Sequence, residues 1–177
     1  MVAVIVAGCS RGAKLPAAAS DGGTPSSGSA TPGQFADLAP GDTAAVIAMM
    51  RQIMRGIDAG LGPMVLRDTT IGAVANSVSR HITVWLQEGI PRKLVVIDSS
   101  GHGQNNTETD VWFMAGDVAV LLQVTDAYAF DADRIVLWTD ESLQPRPDVT
   151  GELLMRKQTA LIETVRVWLQ SLGIALP

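Results

Sequence analysis

The residues of this chain best equipped for chemistry lie in one run, Asp98-Ser99-Ser100-Gly101-His102-Gly103-Gln104-Asn105-Asn106. It places a carboxylate, two hydroxyls and an imidazole close together in sequence. These are the ingredients of a small hydrolase in which Ser99 or Ser100 attacks and His102 takes the proton. Such a site needs the serine on a rigid element, the base within hydrogen-bond reach, and a third group to orient the base. Here glycines flank His102 on both sides and no Gly-x-Ser-x-Gly elbow occurs. The run therefore reads as a hairpin loop, and the hydrolase stands as the alternative to a protein without catalysis of its own.

Metal and phosphate chemistry find little support. Asp98, His102 and Asp110 match no common zinc spacing. Asp131-Ala132-Asp133 lacks the further ligands of a calcium loop and reads as turn chemistry. One cysteine and two histidines in 177 residues exclude an internal disulfide framework and a multi-cysteine zinc site. No Gly-x4-Gly-Lys-Ser/Thr loop is present, and Asn105-Asn106-Thr107 is a glycosylation sequon only where that machinery exists. His81 reads as a surface-face strand residue rather than a ligand. We expect no cofactor and no metal. Lys+Arg is 13 against Asp+Glu 18, a formal net charge of −5, so there is no domain-wide basic footprint and a nucleic-acid partner is disfavoured.

The elements that must position any site follow from the apolar pattern. Apolar residues are 47 % of the chain but aromatics only 5 %, so the core must be aliphatic. Val46, Ile47, Met50, Ile53, Met54 and Ile57 recur with a period near 3.6, with Asp42 as N-cap and Gly60 suited to a left-handed C′ position; this predicts a helix over 43–59. Residues 64–77 are ambiguous, with a short helix after Asp68-Thr69-Thr70 as one reading. From Val78 the period falls to two: Ile82, Val84 and Leu86 alternate with His81, Thr83 and Trp85. Strands are expected at 93–97, 109–114, 118–124, 128–130 and 134–139, with turns at 88–91, 115–117 and 131–133. Leu154, Leu161, Val165, Trp168 and Leu172 line a last helix over 150–172, capped near Thr150 and stopped by Gly173.

Three hairpins then look like one repeated unit. Val84-Trp85-Leu86 with Leu94-Val95-Val96, Val111-Trp112-Phe113 with Val120-Leu121-Leu122, and Tyr128-Ala129-Phe130 with Val136-Leu137-Trp138 each pair an aromatic-bearing strand with an aliphatic one. The expected fold is α+β: an antiparallel β-meander of about six strands, packed by an N-terminal and a C-terminal helix that cover the same sheet face. Trp85, Trp112 and Trp138 are candidate ligand-lining residues, against the plainer reading of cross-strand packing. No run reaches 18 consecutive apolar residues, so no spanning helix is expected.

The amino terminus carries the most specific motif. An apolar run, Val2 to Ala7, ends in Val6-Ala7-Gly8-Cys9. This resembles the lipobox of bacterial lipoproteins: a branched apolar residue, two small residues, then cysteine. The resemblance implies diacylglycerol on the Cys9 thiol, cleavage before Cys9 and acylation of the new amine. There is no basic segment ahead of the apolar run, so the signal peptide is read as truncated. Ser10, a residue other than aspartate after the cysteine, implies sorting to the outer membrane, facing the periplasm. From Ser10 to Gly41 the chain is mostly Ser, Gly, Ala, Pro and Thr, with Pro16, Pro25, Pro32 and Pro40; such a stretch cannot offset its ordering entropy and reads as a flexible linker. A coil of about thirty residues reaches roughly 30 Å.

The expected organisation is thus a signal-peptide remnant at 1–8, a lipidated cysteine and linker at 9–41, and one domain at 42–177. The expected role is a monomeric, membrane-tethered envelope module that binds a protein, peptidoglycan-related or lipophilic partner through its sheet. A soluble cytoplasmic protein with a disordered N-terminus is the remaining alternative.

Overall fold

The computed structural model describes residues 35, 38, 39, 41–72, 79–99 and 106–176. Cys9, most of the linker, Ser100 and His102 lie outside the described residues. Among the described residues the architecture is one seven-stranded antiparallel sheet with one helix before it and one after it in sequence. Helix α1 (Thr43–Ala59) precedes β1 (Val65–Ile71), β2 (Ser79–Gln87), β3 (Ile90–Ser99), β4 (Asn106–Met114), β5 (Asp117–Leu122), β6 (Asp126–Asp131) and β7 (Arg134–Asp140), and α2 (Gly151–Ser171) closes the chain. Strand order in the sheet equals chain order, so the fold is the α+β meander that the pattern predicts.

The helix ends follow capping chemistry. Asp42 Oδ1 accepts from the Ala45 amide at 3.0 Å, and Thr150 Oγ1 accepts from the Leu153 amide at 3.3 Å. Gly173 takes the left-handed C′ conformation at φ 71°, as expected. Gly60 does not: its φ is −97°, and its amide bonds instead to the Ile57 carbonyl in a tight last turn.

The repeat is real, and each unit carries a bulge at the same position. Each hairpin turns through two residues with positive φ: Glu88-Gly89 (54° and 82°), Ala115-Gly116 (52° and 101°) and Ala132-Asp133 (46° and 65°). These mirror-image turns match the twist of the flanking strands. At the third residue past each turn, the returning strand carries one extra residue. Leu86 pairs with Pro91 but Trp85 with Lys93; Phe113 pairs with Val118 but Trp112 with Val120; Phe130 pairs with Ile135 but Ala129 with Leu137. The bulged residues are therefore Arg92, Ala119 and Val136. This corrects the sequence alignment of the returning strands: Leu94 corresponds to Leu121 and Trp138, not to Val120 and Val136.

Two further expectations are corrected. Residues 65–71 form a strand, giving seven strands rather than six; its seven residues pair without interruption with β2. The helices also lie on opposite faces of the sheet. Leu161, Ile162, Val165, Trp168 and Leu169 of α2 share a core with Val111, Phe113, Leu121, Tyr128 and Phe130. Met50, Ile53 and Ile57 of α1 share another with Trp112, Ala119, Val120, Ala127 and Ala129. Strands β4 to β6 are apolar on both faces, so both need cover. The small Ala119, Ala127 and Ala129 leave room for α1. Phe35, inside the stretch read as linker, is buried in the α1-side core.

Candidate functional site

Helix α1 covers only part of its face of the sheet. It packs on β4 to β6, and its C-terminal turn reaches β3 through Asp58. Among the described residues, the same face of β1, β2 and the far halves of β3 and β4 lies open. Strand registers arrange this panel as three rows. The first runs Leu66, Trp85, Lys93, Trp112; the second Asp68, Thr83, Val95, Asp110; the third Thr70, His81, Ile97, Glu108. The local reason is the period-two pattern of β2. Ile82, Val84 and Leu86 are buried towards α2, whereas His81, Thr83 and Trp85 are only half-buried.

The first row is organised around Lys93. Its ammonium lies 3.0 Å from Asp58 Oδ1 and 3.4 Å from Asp110 Oδ1, and 4.6 Å from the centre of the Trp112 ring. The Trp112 indole N–H donates to the same Asp58 oxygen at 2.9 Å. Lys93 is only 14 % exposed, so these partners answer the desolvation of its charge. Burial pushes the Asp110 carboxyl above its ordinary value; Lys93 opposes this and the neighbouring Glu108 adds to it. In the third row, His81 is held from both sides. Thr70 Oγ1 lies 3.0 Å from Nδ1 and Thr83 Oγ1 lies 3.2 Å from Nε2. A neutral imidazole donates to one hydroxyl and accepts from the other, which fixes the ring across β1 and β2.

Among the described residues, no group of three or more His, Cys, Asp or Glu side chains is placed to hold a metal ion. Among these residues, too, no helix is long and apolar enough to cross a membrane. Comparison with protein families, characterised proteins and solved structures finds no match for this chain. The panel must therefore be read from its own chemistry: half-buried Trp85, Val95 and Ile97 in the middle, with hydroxyls, an imidazole and carboxylates along the sides. That is the make-up of a surface that takes a partner with both apolar and polar groups.

The three tryptophans do not come together. Trp85 and Trp112 occupy equivalent positions of the first two hairpins and flank Lys93 on the α1 side. The third equivalent position is Ala129. Trp138 instead occupies the position of Leu94 and Leu121, towards α2. Its ring lies 5.3 Å from Tyr128, and its indole N–H donates to Asp126 Oδ1 at 2.8 Å. Burial by itself would raise the Asp126 carboxyl, but Trp138, Thr125 and Arg146 outweigh it and hold it below the usual aspartate value. Burial, reinforced by Asp126, pushes the Tyr128 phenol well above its ordinary value. Trp138 thus belongs to a structural cluster. Ser99 is the last residue of β3, paired with Asn106; its proposed partner His102 lies outside the described residues. Sequence reasoning missed Asp58, Lys93 and Thr70. A lysine in a β-branched strand was the available signal for Lys93, but its partners emerge only once the hairpin registers are known.

Proposed function

We propose that this protein is a membrane-tethered module of the bacterial cell envelope that binds a partner through the open panel of its sheet, without catalysis of its own. The observation that carries the binding role is the panel itself. Half-buried Trp85, Val95 and Ile97, one from each row, are left beside two covered cores. The proposed partner is an envelope protein, a peptidoglycan-related polymer or a lipophilic molecule. The lipobox-like Val6-Ala7-Gly8-Cys9 supports the address, and Ser10 supports the outer membrane, facing the periplasm. One acyl chain binds a bilayer only marginally, whereas the two or three that the motif implies anchor stably. On this reading the domain is a monomer held by a spacer of small residues.

The test is metabolic labelling with an alkyne-bearing palmitate analogue in cells expressing the protein from its own locus. The wild type is expected to be labelled and to fractionate with membranes, and Cys9→Ser to lose both. Equal labelling and equal membrane association of the two would refute the address.

A further inference from the structure

The two edges of the sheet are treated differently. At β7 the chain folds back on itself: the Asp140 amide donates to the Gln144 carbonyl at 2.9 Å, the Arg146 amide to the Trp138 carbonyl at 3.1 Å, and Thr139 forms a bridge with Pro145. Asp140 Oδ1 fixes this return by accepting from the Ser142 and Gln144 amides at 2.8 and 2.9 Å. A bulge at Val136 twists the same edge. These are the usual protections of a sheet edge. Strand β1 has none of them. It is regular over all seven pairs with β2, and among the described residues nothing pairs with its outer side. Val65, Leu66 and Ile71 are 60 %, 51 % and 45 % exposed. At its Val65 end lies a hollow of about 240 Å³ bordered by Pro63, Met64, Val65, Leu86, Gln87 and Glu88.

A row of backbone donors and acceptors left to water along an edge is the template for pairing with another extended chain. The charges on β1 say which chain. A second copy aligned antiparallel over the full strand, across a two-fold axis, sets Asp68 against Asp68 of its mate. Shifting one way sets Arg67 against Arg67; shifting the other way leaves Val65 and Leu66 outside the pairing. Like charges directly opposed disfavour the first two pairings, and the third leaves the exposed Val65 and Leu66 uncovered. We infer that β1 receives an extended segment of a partner protein as an eighth strand, antiparallel to β1. Opposite Asp68 that segment carries a lysine or arginine, opposite Arg67 a carboxylate, and opposite Leu66, Val65 and Ile71 apolar side chains. This rests on reading the protein as a binding module, but not on where it is anchored. The new strand extends the open panel, because Leu66, Asp68 and Thr70 begin its three rows.

The test uses the full-length chain and a labelled, end-blocked peptide, Val-Thr-Thr-Lys-Glu-Leu-Val, whose lysine falls opposite Asp68. Anisotropy is expected to show saturable binding, weakened about tenfold by Asp68→Lys and restored when the peptide lysine becomes glutamate. Hydrogen exchange is expected to show fast outer amides in β1 that slow when the peptide is added. No binding by either peptide, binding indifferent to Asp68→Lys, a β1-mediated homodimer in sedimentation, or outer amides already protected in the free chain would each overturn the proposal. A failure here leaves the Cys9 labelling result standing, and the reverse holds too.

Discussion

Asp58 and Asp126 each serve an indole and a cation at once, one on either face of the sheet. Asp58 accepts from Trp112 and pairs with Lys93; Asp126 accepts from Trp138 and pairs with Arg146. Trp112→Phe keeps an aromatic ring, though a smaller one, but removes the indole donor and weakens the contact with the ammonium. It should cost about 1–2 kcal/mol in urea unfolding; an unchanged midpoint would show that the bond carries no weight. Asp126→Asn is predicted to cost a similar amount at neutral pH. Because the Asp126 carboxyl is held below its ordinary value of 3.8, the unfolded chain takes up that proton first. The contribution is complete above that value and is lost as pH falls through the folded-state value. The gap between wild type and Asp126→Asn should therefore narrow below about pH 4. A gap constant from pH 6 to pH 3 would contradict this origin.

At the scale of elements, the hairpins are built by their turns. Ala132 and Asp133 adopt the left-handed region at φ 46° and 65°, which L-residues other than Asn and Asp enter at a cost of about 1–2 kcal/mol. Replacing the pair by Asn-Gly should raise stability by about 1 kcal/mol, seen as a higher midpoint of thermal unfolding. It also removes the Asp133 charge that, after burial, helps raise the Asp117 carboxyl. A lower midpoint would show that the turn is held by something other than local conformation.

Much of this layer was legible. The α1 stripe, the caps at Asp42 and Thr150, and the turn dipeptides stand in the sequence and reappear in place. The bulges did not show, because an extra residue in an aliphatic strand leaves no compositional mark; hence the shifted alignment around Arg92, Ala119 and Val136. The opposite placement of the helices was encoded but misread. β2 alternates because only its α2 side is covered, whereas residues 111–114, 118–122 and 127–130 of β4 to β6 are unbroken apolar runs because both sides are. β1 escaped because its residues, Val-Leu-Arg-Asp-Thr-Thr-Ile, carry neither period; an edge strand exposed on both sides is under no such pressure. The open panel was legible only in part, since Trp85 belongs to it, Trp112 borders it beneath α1, and Trp138 lies on the other face.

For the whole molecule, a sheet clamped between two helices in its β4–β7 half is left with a free quarter: the α1-side panel of β1 to β4 and the β1 edge that continues it. On the proposed function, the amino-terminal tether would serve to place this body, and that placement would rest on the Cys9 thiol. The most direct measurement is mass spectrometry of the amino-terminal peptide of the protein purified from membranes of cells expressing it from its own locus. The account predicts a peptide that begins at Cys9 and carries a diacylglyceryl thioether. A peptide that runs through Gly8 into an unmodified Cys9 would contradict it.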